Sequence, residues 1–226
     1  MKPNKFNIVA VTQPLLVVDG KQLTADEFIA YCARVSNPSN QMNTLTASKL
    51  IDYCIRNEHW SIFEMVSVVA EIETTRDIGR QILRHRSFSF QEFSQRYADP
   101  TNSLGFTTRE PRLQDAKNRQ NSIDIDKDSS MNLDWLKQQQ AVIDSATAAY
   151  DWALENGIAK EQARAVLPEG LTISRMYMSG TLRSYIHWCR LRSQPGTQKE
   201  HRYLAQEASW QLLKYFPSLT DSLLKV

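Results

Sequence analysis

The sequence has 226 residues, 42% of them hydrophobic and 23% charged, and a formal net charge of +2. This is the composition of a globular protein large enough to bury a core, and the small net charge disfavours general nucleic-acid binding. Because no apolar run reaches membrane-spanning length and the first residues do not form an apolar signal segment, we expect a soluble, cytoplasmic protein.

The first part of the chain carries signals for short strands and three helices. Thr24, followed three residues later by Glu27, forms a capping box that predicts a helix start, with Phe28, Tyr31 and Cys32 facing inward. The predicted elements are strands at residues 6–11 and 15–18, a helix at 25–35, a helix from Thr44 or Thr46 to about 57, a strand at 64–75 and a helix at 76–86. The strand at 64–75 alternates, and its apolar side comprises Val66, Val68, Ala70 and Ile72.

The second part of the chain begins with a polar segment of weak periodicity at residues 100–131, which predicts a long loop or lid. A helix follows, and one side of it carries Val142, Ala146, Ala149, Tyr150 and Ala153. The predicted elements here are helices at 135–155, 160–167, 181–191 and 198–215, and a strand at 171–179. Helices outnumber strands without regular βαβ units, so we predict one α+β domain over residues 1–226, a small and mostly antiparallel sheet with helices packed on it.

Residues 84–97 concentrate the chemistry of the chain. Three arginines, a histidine, three serines and two glutamines lie among four aromatic residues there. On a helix that ends near this segment, Gln81, Arg84, His85 and Phe88 share one face. Guanidinium groups and hydroxyls bind phosphate, and aromatic rings offer a flat apolar surface, so a nucleotide site is one interpretation. A solvated basic helix end followed by a partly buried aromatic loop is the other, and physical chemistry alone does not name a ligand.

The spacing within this segment resembles the signature of the flavin-dependent thymidylate synthases. The matching residues are Arg84, His85, Arg86, Glu92, Ser94, Arg96 and Tyr97. Residues 59–64, 163–168 and 182–192 are similar to further segments of that family, and the resemblance extends from about residue 25 to residue 213, least over the polar segment. Two positions depart from the family pattern, Met65, where many members have a histidine, and Thr181, where many have an asparagine.

The resemblance implies methylation of deoxyuridylate (dUMP) to thymidylate, with 5,10-methylenetetrahydrofolate as carbon donor and FAD, reduced by NADPH, as hydride donor. It also implies an α+β fold and a homotetramer whose active sites lie between subunits. The residues that it assigns to deoxyuridylate are Gln81, Arg84, Glu92, Ser94, Gln95, Arg96, Arg164 and Arg192. The residues that it assigns to the flavin are Ser61, Arg84, His85, Arg86, Glu92, Arg183 and His187.

Arg192 is the candidate catalytic residue, because a guanidinium beside the pyrimidine would stabilise negative charge that develops on the ring. Two structural alternatives remain, a favourable partner for the helix dipole and a cation stacked over Trp188 four residues earlier. We disfavour Ser94 as a nucleophile, since the sequence shows no positioned base for it. Cys32 and Cys54 fall on apolar helix faces and are expected in the core.

Several other classes of site are disfavoured. No His, Cys and Asp set has the spacing of metal ligands, so we expect no metal. No GxGxxG turn or P-loop is present, so phosphates would be bound by arginines, serines and helix N-termini. A non-catalytic nucleotide or single-stranded RNA binder remains an alternative function, as does a family member that binds flavin without synthesis.

Overall fold

The computed structural model describes residues 4–126, 128–219 and 223. Short strands and helices alternate along the first half of the chain, and long helices dominate the second half. In chain order the elements are β1 (Lys5–Val11), β2 (Val17–Val18), β3 (Lys21–Gln22), α1 (Ala25–Ala33), α2 (Ala47–Arg56), β4 (Ser67–Thr75), α3 (Arg76–Ile82), β5 (Ser89–Glu92), α4 (Pro100–Ser103), β6 (Arg112–Gln114), β7 (Ser122–Asp124), α5 (Ser130–Glu155), α6 (Lys160–Ala163), β8 (Ile173–Thr181), α7 (Leu182–Arg192) and α8 (Lys199–Tyr215).

The main sheet has four antiparallel strands in the order β1-β4-β8-β5. The side of β4 that was predicted to be apolar is fully buried. Tyr185 and Trp188 of α7 belong to the same core, as do Leu204 and Leu212 of α8. The fold class is therefore α+β with a small antiparallel sheet, as predicted.

The opposite face of the sheet is polar. There the Tyr177 hydroxyl donates to the Glu71 carboxylate at 2.8 Å, and Arg175 pairs with Glu73 at 3.0 Å. Such cross-strand pairs are tolerated where one sheet face remains outside the core of its own chain.

Local signals in the sequence set several helix ends. The Thr24 side chain accepts from the backbone of Glu27, and the Glu27 carboxylate accepts from the backbone of Thr24, so the predicted capping box is confirmed. Thr181 caps α7, whereas Thr46 precedes α2 without a side-chain capping bond. Gly157, at φ 75°, follows the end of α5, a backbone conformation that favours glycine.

Several predicted details are wrong. The strand predicted at 64–75 begins at Ser67, after a short 3₁₀ helix at Trp60–Glu64. In α1 the buried positions include Ile29 and Ala30, whereas the predicted inward residues, Phe28, Tyr31 and Cys32, are only half-buried. On α5, Ala146, Tyr150 and Ala153 are buried as predicted, but Val142 is exposed and the neighbouring Ile143 is buried in its place.

The segment at 100–131 contains more structure than the predicted loop. It includes α4 and a hairpin formed by β6 and β7. Arg112 of β6 pairs with Glu200 of α8 at 2.5 Å, so the hairpin is attached to the helical layer through charge rather than through apolar packing. No helix among the described residues is long and apolar enough to cross a membrane.

Candidate active site

The end of α7 meets the turn after α3 at a cluster of polar side chains. Arg192 Nε donates to His85 Nε2 at 2.9 Å. Gln81 Nε2 donates to Gln198 Oε1 at 2.7 Å, and Gln81 Oε1 lies 3.3 Å from His201 Nδ1. We call this cluster the Arg192 group; it comprises Gln81, Arg84, His85, Arg192, Gln198 and His201.

The charges of the Arg192 group are all positive. Burial, together with the charges of Arg192 and Arg84, lowers the pKa of His85 to about 4, so this imidazole is neutral at physiological pH. A neutral ring can accept the hydrogen bond from Arg192, and it thereby fixes the guanidinium. No carboxylate of the described residues lies within ion-pair distance of Arg84 or Arg192. The group is therefore prepared for an anion from outside the chain.

His201 belongs to this cluster, although no role for it is predicted from the sequence. The side chain is fully buried, and burial together with Arg192 and His85 lowers its pKa to about 3. As a neutral ring it donates from Nδ1 to Gln81 Oε1, which leaves the buried Nε2 without a partner. A single buried histidine on an apolar helix face carries no local signal of such a role, so sequence reasoning could not have found it.

The turn that carries Arg84 and His85 is fixed by packing against β8 and α7. Phe88 is buried against Gly180, where an added Cβ would lie 2.5 Å from Phe88 Cδ1. Ser184 Oγ donates to the carbonyl of Ser87 at 3.2 Å. The expectation that residues 81–88 share a helical face is wrong, because α3 ends at Ile82, but tertiary packing brings Gln81 and His85 together nonetheless.

A second cluster surrounds Glu92 at the end of β5. Glu92 Oε1 accepts from Ser174 Oγ at 2.9 Å and lies 3.4 Å from the buried guanidinium of Arg76. Glu169 pairs with Arg76 at 3.5 Å and with Arg80 at 3.4 Å. Here arginines and carboxylates neutralise each other within the chain.

The segment after β5 carries the remaining residues predicted for deoxyuridylate. The Arg96 backbone N–H donates to Ser94 Oγ at 3.4 Å, and the Arg96 side chain pairs with Glu161 at 3.6 Å. Arg164 Nε donates to the carbonyl of Glu161 at 3.3 Å, and Gln95 is buried. We call this second cluster the Glu92 group; it comprises Arg76, Arg80, Glu92, Ser94, Gln95, Arg96, Glu161, Arg164, Glu169 and Ser174.

Most residues predicted for the flavin lie on α7 or in the segments beside it, whereas Glu92 lies in the second cluster. Arg183 pairs with Glu64 at 2.5 Å, and the rings of His187 and Trp60 lie 4.6 Å apart. Ser61 and Arg86 are exposed. Accessible donors beside an aromatic edge suit a planar, phosphate-bearing cofactor, so the residues present fit a flavin.

Neither structural alternative for Arg192 accounts for its position. The guanidinium bonds to His85, and the arginine that lies over an indole is Arg190, 5.7 Å from the centre of the Trp60 ring. Arg192 is in the last turn of α7, where a cation is favourable. That dipole contribution does not explain why a histidine from a distant segment fixes the side chain.

The residues predicted for deoxyuridylate thus divide between the Arg192 group and the Glu92 group. No hydrogen bond or ion pair among the described residues joins the Arg192 group to the Glu92 group. The same part of the chain contains no group of three His, Cys, Asp or Glu side chains placed to hold a metal ion.

Comparisons with known proteins place the chain in a family. Residues 20–218 match the family described as thymidylate synthase complementing protein. The chain is 48% identical over 216 residues to the flavin-dependent thymidylate synthase of Synechocystis sp.. The aligned region covers 95% of this chain and 97% of that protein. The chain belongs to the flavin-dependent thymidylate synthase family. A probable flavin-dependent thymidylate synthase of Paramecium bursaria Chlorella virus 1 is also 48% identical, over 96% of this chain and 97% of that protein.

The fold of this family member has a solved counterpart. The crystal structure of the UMP/dUMP methylase PolB from Streptomyces cacaoi, bound with 5-Br dUMP, superposes with a TM-score of 0.80 and 23% sequence identity. The superposition covers 98% of this chain and 95% of that chain. This likeness supports the fold and the α+β class predicted from the sequence.

Proposed function

We propose that this chain is a flavin-dependent thymidylate synthase. It transfers the methylene carbon of 5,10-methylenetetrahydrofolate to carbon 5 of deoxyuridylate, and two electrons from NADPH complete the methyl group of thymidylate. FAD, when bound, supplies the hydride.

The observation that carries this proposal is the state of Arg192. Its guanidinium is fixed by a neutral His85 and has no carboxylate within ion-pair distance in the described part of the chain. A pyrimidine must become electron-rich at carbon 5 before it attacks the carbon donor. A fixed cation beside the ring stabilises that negative charge without delivering a proton, and it requires no rearrangement during the reaction.

Deoxyuridylate is bound by residues of both clusters. Gln81 and Arg84 would contact it from the Arg192 group. The residues that would contact it from the Glu92 group are Glu92, Ser94, Gln95, Arg96 and Arg164. Because these clusters have no bond to each other within one chain, we propose that copies of the chain complete each other's sites in a homotetramer. Exposed apolar side chains on α5, including Trp152 at 60% exposure, offer surface for such contacts.

The flavin is bound by residues on the outer side of α7 and in the turn before β5. Arg84, Arg86 and Arg183 supply guanidinium donors for phosphate, and Ser61 supplies a hydroxyl. The residues that would contact the cofactor beside them are His85, Glu92 and His187.

No cysteine nucleophile takes part. Burial raises the pKa of Cys189 to about 12 and also raises the pKa of Cys32 and Cys54, so none of the three offers a thiolate at neutral pH. All three are free thiols. Because free thiols persist in a reducing compartment, we also propose a cytoplasmic location.

The test is the cofactor content and activity of the purified chain. We expect a yellow protein with a flavin spectrum that forms thymidylate from deoxyuridylate, methylenetetrahydrofolate and NADPH. A colourless protein that binds RNA would contradict the proposal, and so would a flavoprotein that oxidises NADPH without making thymidylate.

Sharing of sites between subunits has its own test. Arg192→Ala and Arg164→Ala each alter one cluster, so each variant alone should be nearly inactive. Tetramers from co-expression of the two variants would contain some sites with both native arginines. We expect activity clearly above that of either variant alone, whereas activity equal to their mean would mean that each site lies within one chain.

A further inference from the structure

A cavity of about 600 Å³ lies between the hairpin formed by β6 and β7 and the first turn of α8. It is formed largely by the polar segment at 100–131, and none of the residues assigned to deoxyuridylate or flavin lines it. The roles proposed above for deoxyuridylate and the flavin make no use of it.

Most of the charged side chains that line this cavity are basic. The basic side chains that line it are Arg109, Arg112, Arg119, Lys199 and Arg202, and the acidic ones are Glu110 and Asp124. Three of the cations are already paired, since Arg109 bonds Asp77, Arg112 bonds Glu200, and Lys199 bonds Asp124 at 2.8 Å.

Arg119 and Arg202 differ from these three. Neither forms a salt bridge with any described residue, and Arg202 uses one donor on the carbonyl of Pro195 at 3.2 Å. Each guanidinium therefore keeps donors available for an anion in the cavity.

The cavity also has an apolar wall. Trp135 and Met131, on the first turns of α5, line it and are 43% and 48% exposed. An exposed indole beside arginines provides a flat surface for a ring, and the arginines bind anionic groups attached to that ring.

One wall residue connects the cavity to the site already described. Gln198 lines the cavity, and its side-chain oxygen accepts the hydrogen bond from Gln81. A molecule in the cavity would therefore lie beside the Arg192 group, where the carbon donor or the reductant must approach.

We propose that this cavity binds the anionic end of a co-substrate, with carboxylate or phosphate oxygens on Arg119 and Arg202 and an adjoining ring against Trp135. This inference rests on the proposed function. Two sources share this anionic chemistry, namely the glutamyl carboxylates of the folate and the 2′-phosphate of NADPH. The KM values for the two co-substrates distinguish them.

The experiment measures KM in the full-length enzyme for the wild type, Arg119→Ala, Arg202→Ala and the double variant. Each is assayed with the monoglutamyl and pentaglutamyl forms of methylenetetrahydrofolate, and with NADPH and NADH. Lys137→Ala is the matched control, because Lys137 is an exposed cation of α5 that does not line the cavity. Loss of a charge-assisted contact should raise KM about tenfold per arginine for one co-substrate.

The pattern of KM values decides the source. An increase for folate, in the pentaglutamyl form or in both forms, without an increase for NADPH assigns the cavity to glutamyl carboxylates. An increase for NADPH but not NADH assigns it to the 2′-phosphate. Unchanged values in the double variant would overturn the inference. Equal increases for every substrate, deoxyuridylate included, would also overturn it, because they indicate a general effect on charge or folding.

A failure of the proposed function can be distinguished from a failure of this inference. If the wild type makes no thymidylate, quenching of tryptophan fluorescence by pentaglutamyl folate and by NADPH still tests the cavity. The double variant should then bind one of them about tenfold or more weakly than wild type, and equal affinity would contradict the inference.

Discussion

The Arg192 group and the Glu92 group use most of their arginines in opposite ways. In the Glu92 group, Arg76 and Arg80 are matched by Glu92 and Glu169, so the charges cancel within the chain. In the Arg192 group, Arg84 and Arg192 have no carboxylate partner among the described residues, and the only fixed contact of Arg192 is a neutral imidazole.

This difference separates a supporting role from a binding role. A buried guanidinium with two carboxylates fixes the positions of β5 and α3, whereas an unpaired guanidinium retains its charge for a ligand. Substitutions that break the pairs of Arg76 with Glu92 or Glu169 should therefore mainly lower stability, and those at Arg84 or Arg192 should mainly lower activity.

The largest expected effect is that of Arg192→Ala. Removing a positioned charge from the reacting ring should lower kcat about 100- to 1000-fold. Flavin content and the free energy of unfolding should be nearly unchanged, since no ion pair is lost. Steady-state kinetics and the flavin spectrum test this prediction, with Arg190→Ala, an exposed neighbour on α7, as control. Normal turnover of Arg192→Ala would contradict the catalytic role assigned to Arg192.

The next effect is a loss of stability in Glu92→Gln. Arg76 is 7% exposed at its side chain and would lose the nearer of two carboxylates, which should lower the free energy of unfolding by about 1–3 kcal/mol. Denaturant unfolding measures this. The control is Glu161→Gln, whose exposed ion pair with Arg96 should contribute about 0–1 kcal/mol. Equal losses in both variants would contradict the supporting role assigned to the buried pair of Arg76 and Glu92.

The Arg192 group should also make stability depend on pH. The pKa of His201 falls from 6.5 to about 3 on folding, so the unfolded chain binds its proton first as the pH decreases. The contribution of His201 to the free energy of unfolding is fully present above pH 6.5 and is lost as the pH falls toward 3. The slope from this residue is about 1.4 kcal/mol per pH unit.

His201→Gln should remove that contribution to the slope. Leu204→Ala, at another buried position of α8, should lower stability without changing its dependence on pH. Unfolding experiments across this range test both variants. Identical slopes in His201→Gln and the wild type would show that another group dominates acid unfolding.

The smallest expected effect is that of Ser94→Ala. Loss of one hydroxyl contact should raise KM for deoxyuridylate about threefold to tenfold and leave most of kcat. Initial rates at varied substrate concentration measure both constants. Complete loss of turnover with unchanged affinity would instead support Ser94 as a nucleophile.

The individual segments show how far the sequence could predict the structure. The alternation at residues 66–72 and the capping box at Thr24 depend on near neighbours, and both predictions are confirmed. β5 was not predicted, because its four residues are polar and aromatic and form a strand only by pairing with β8. On α5 the predicted face is buried at Ala146, Tyr150 and Ala153, but Ile143 and not Val142 continues it, a choice that two equally apolar neighbours leave open.

The sequence by itself determined the secondary structure of the longer elements and the family signature, because both depend on residues that are close along the chain. Only the tertiary structure decided that His85 fixes Arg192, that His201 fixes Gln81, and that the predicted site divides into two clusters. Each of those contacts joins segments more than 100 residues apart, and their formation depends on how α3, α7 and α8 pack on the sheet.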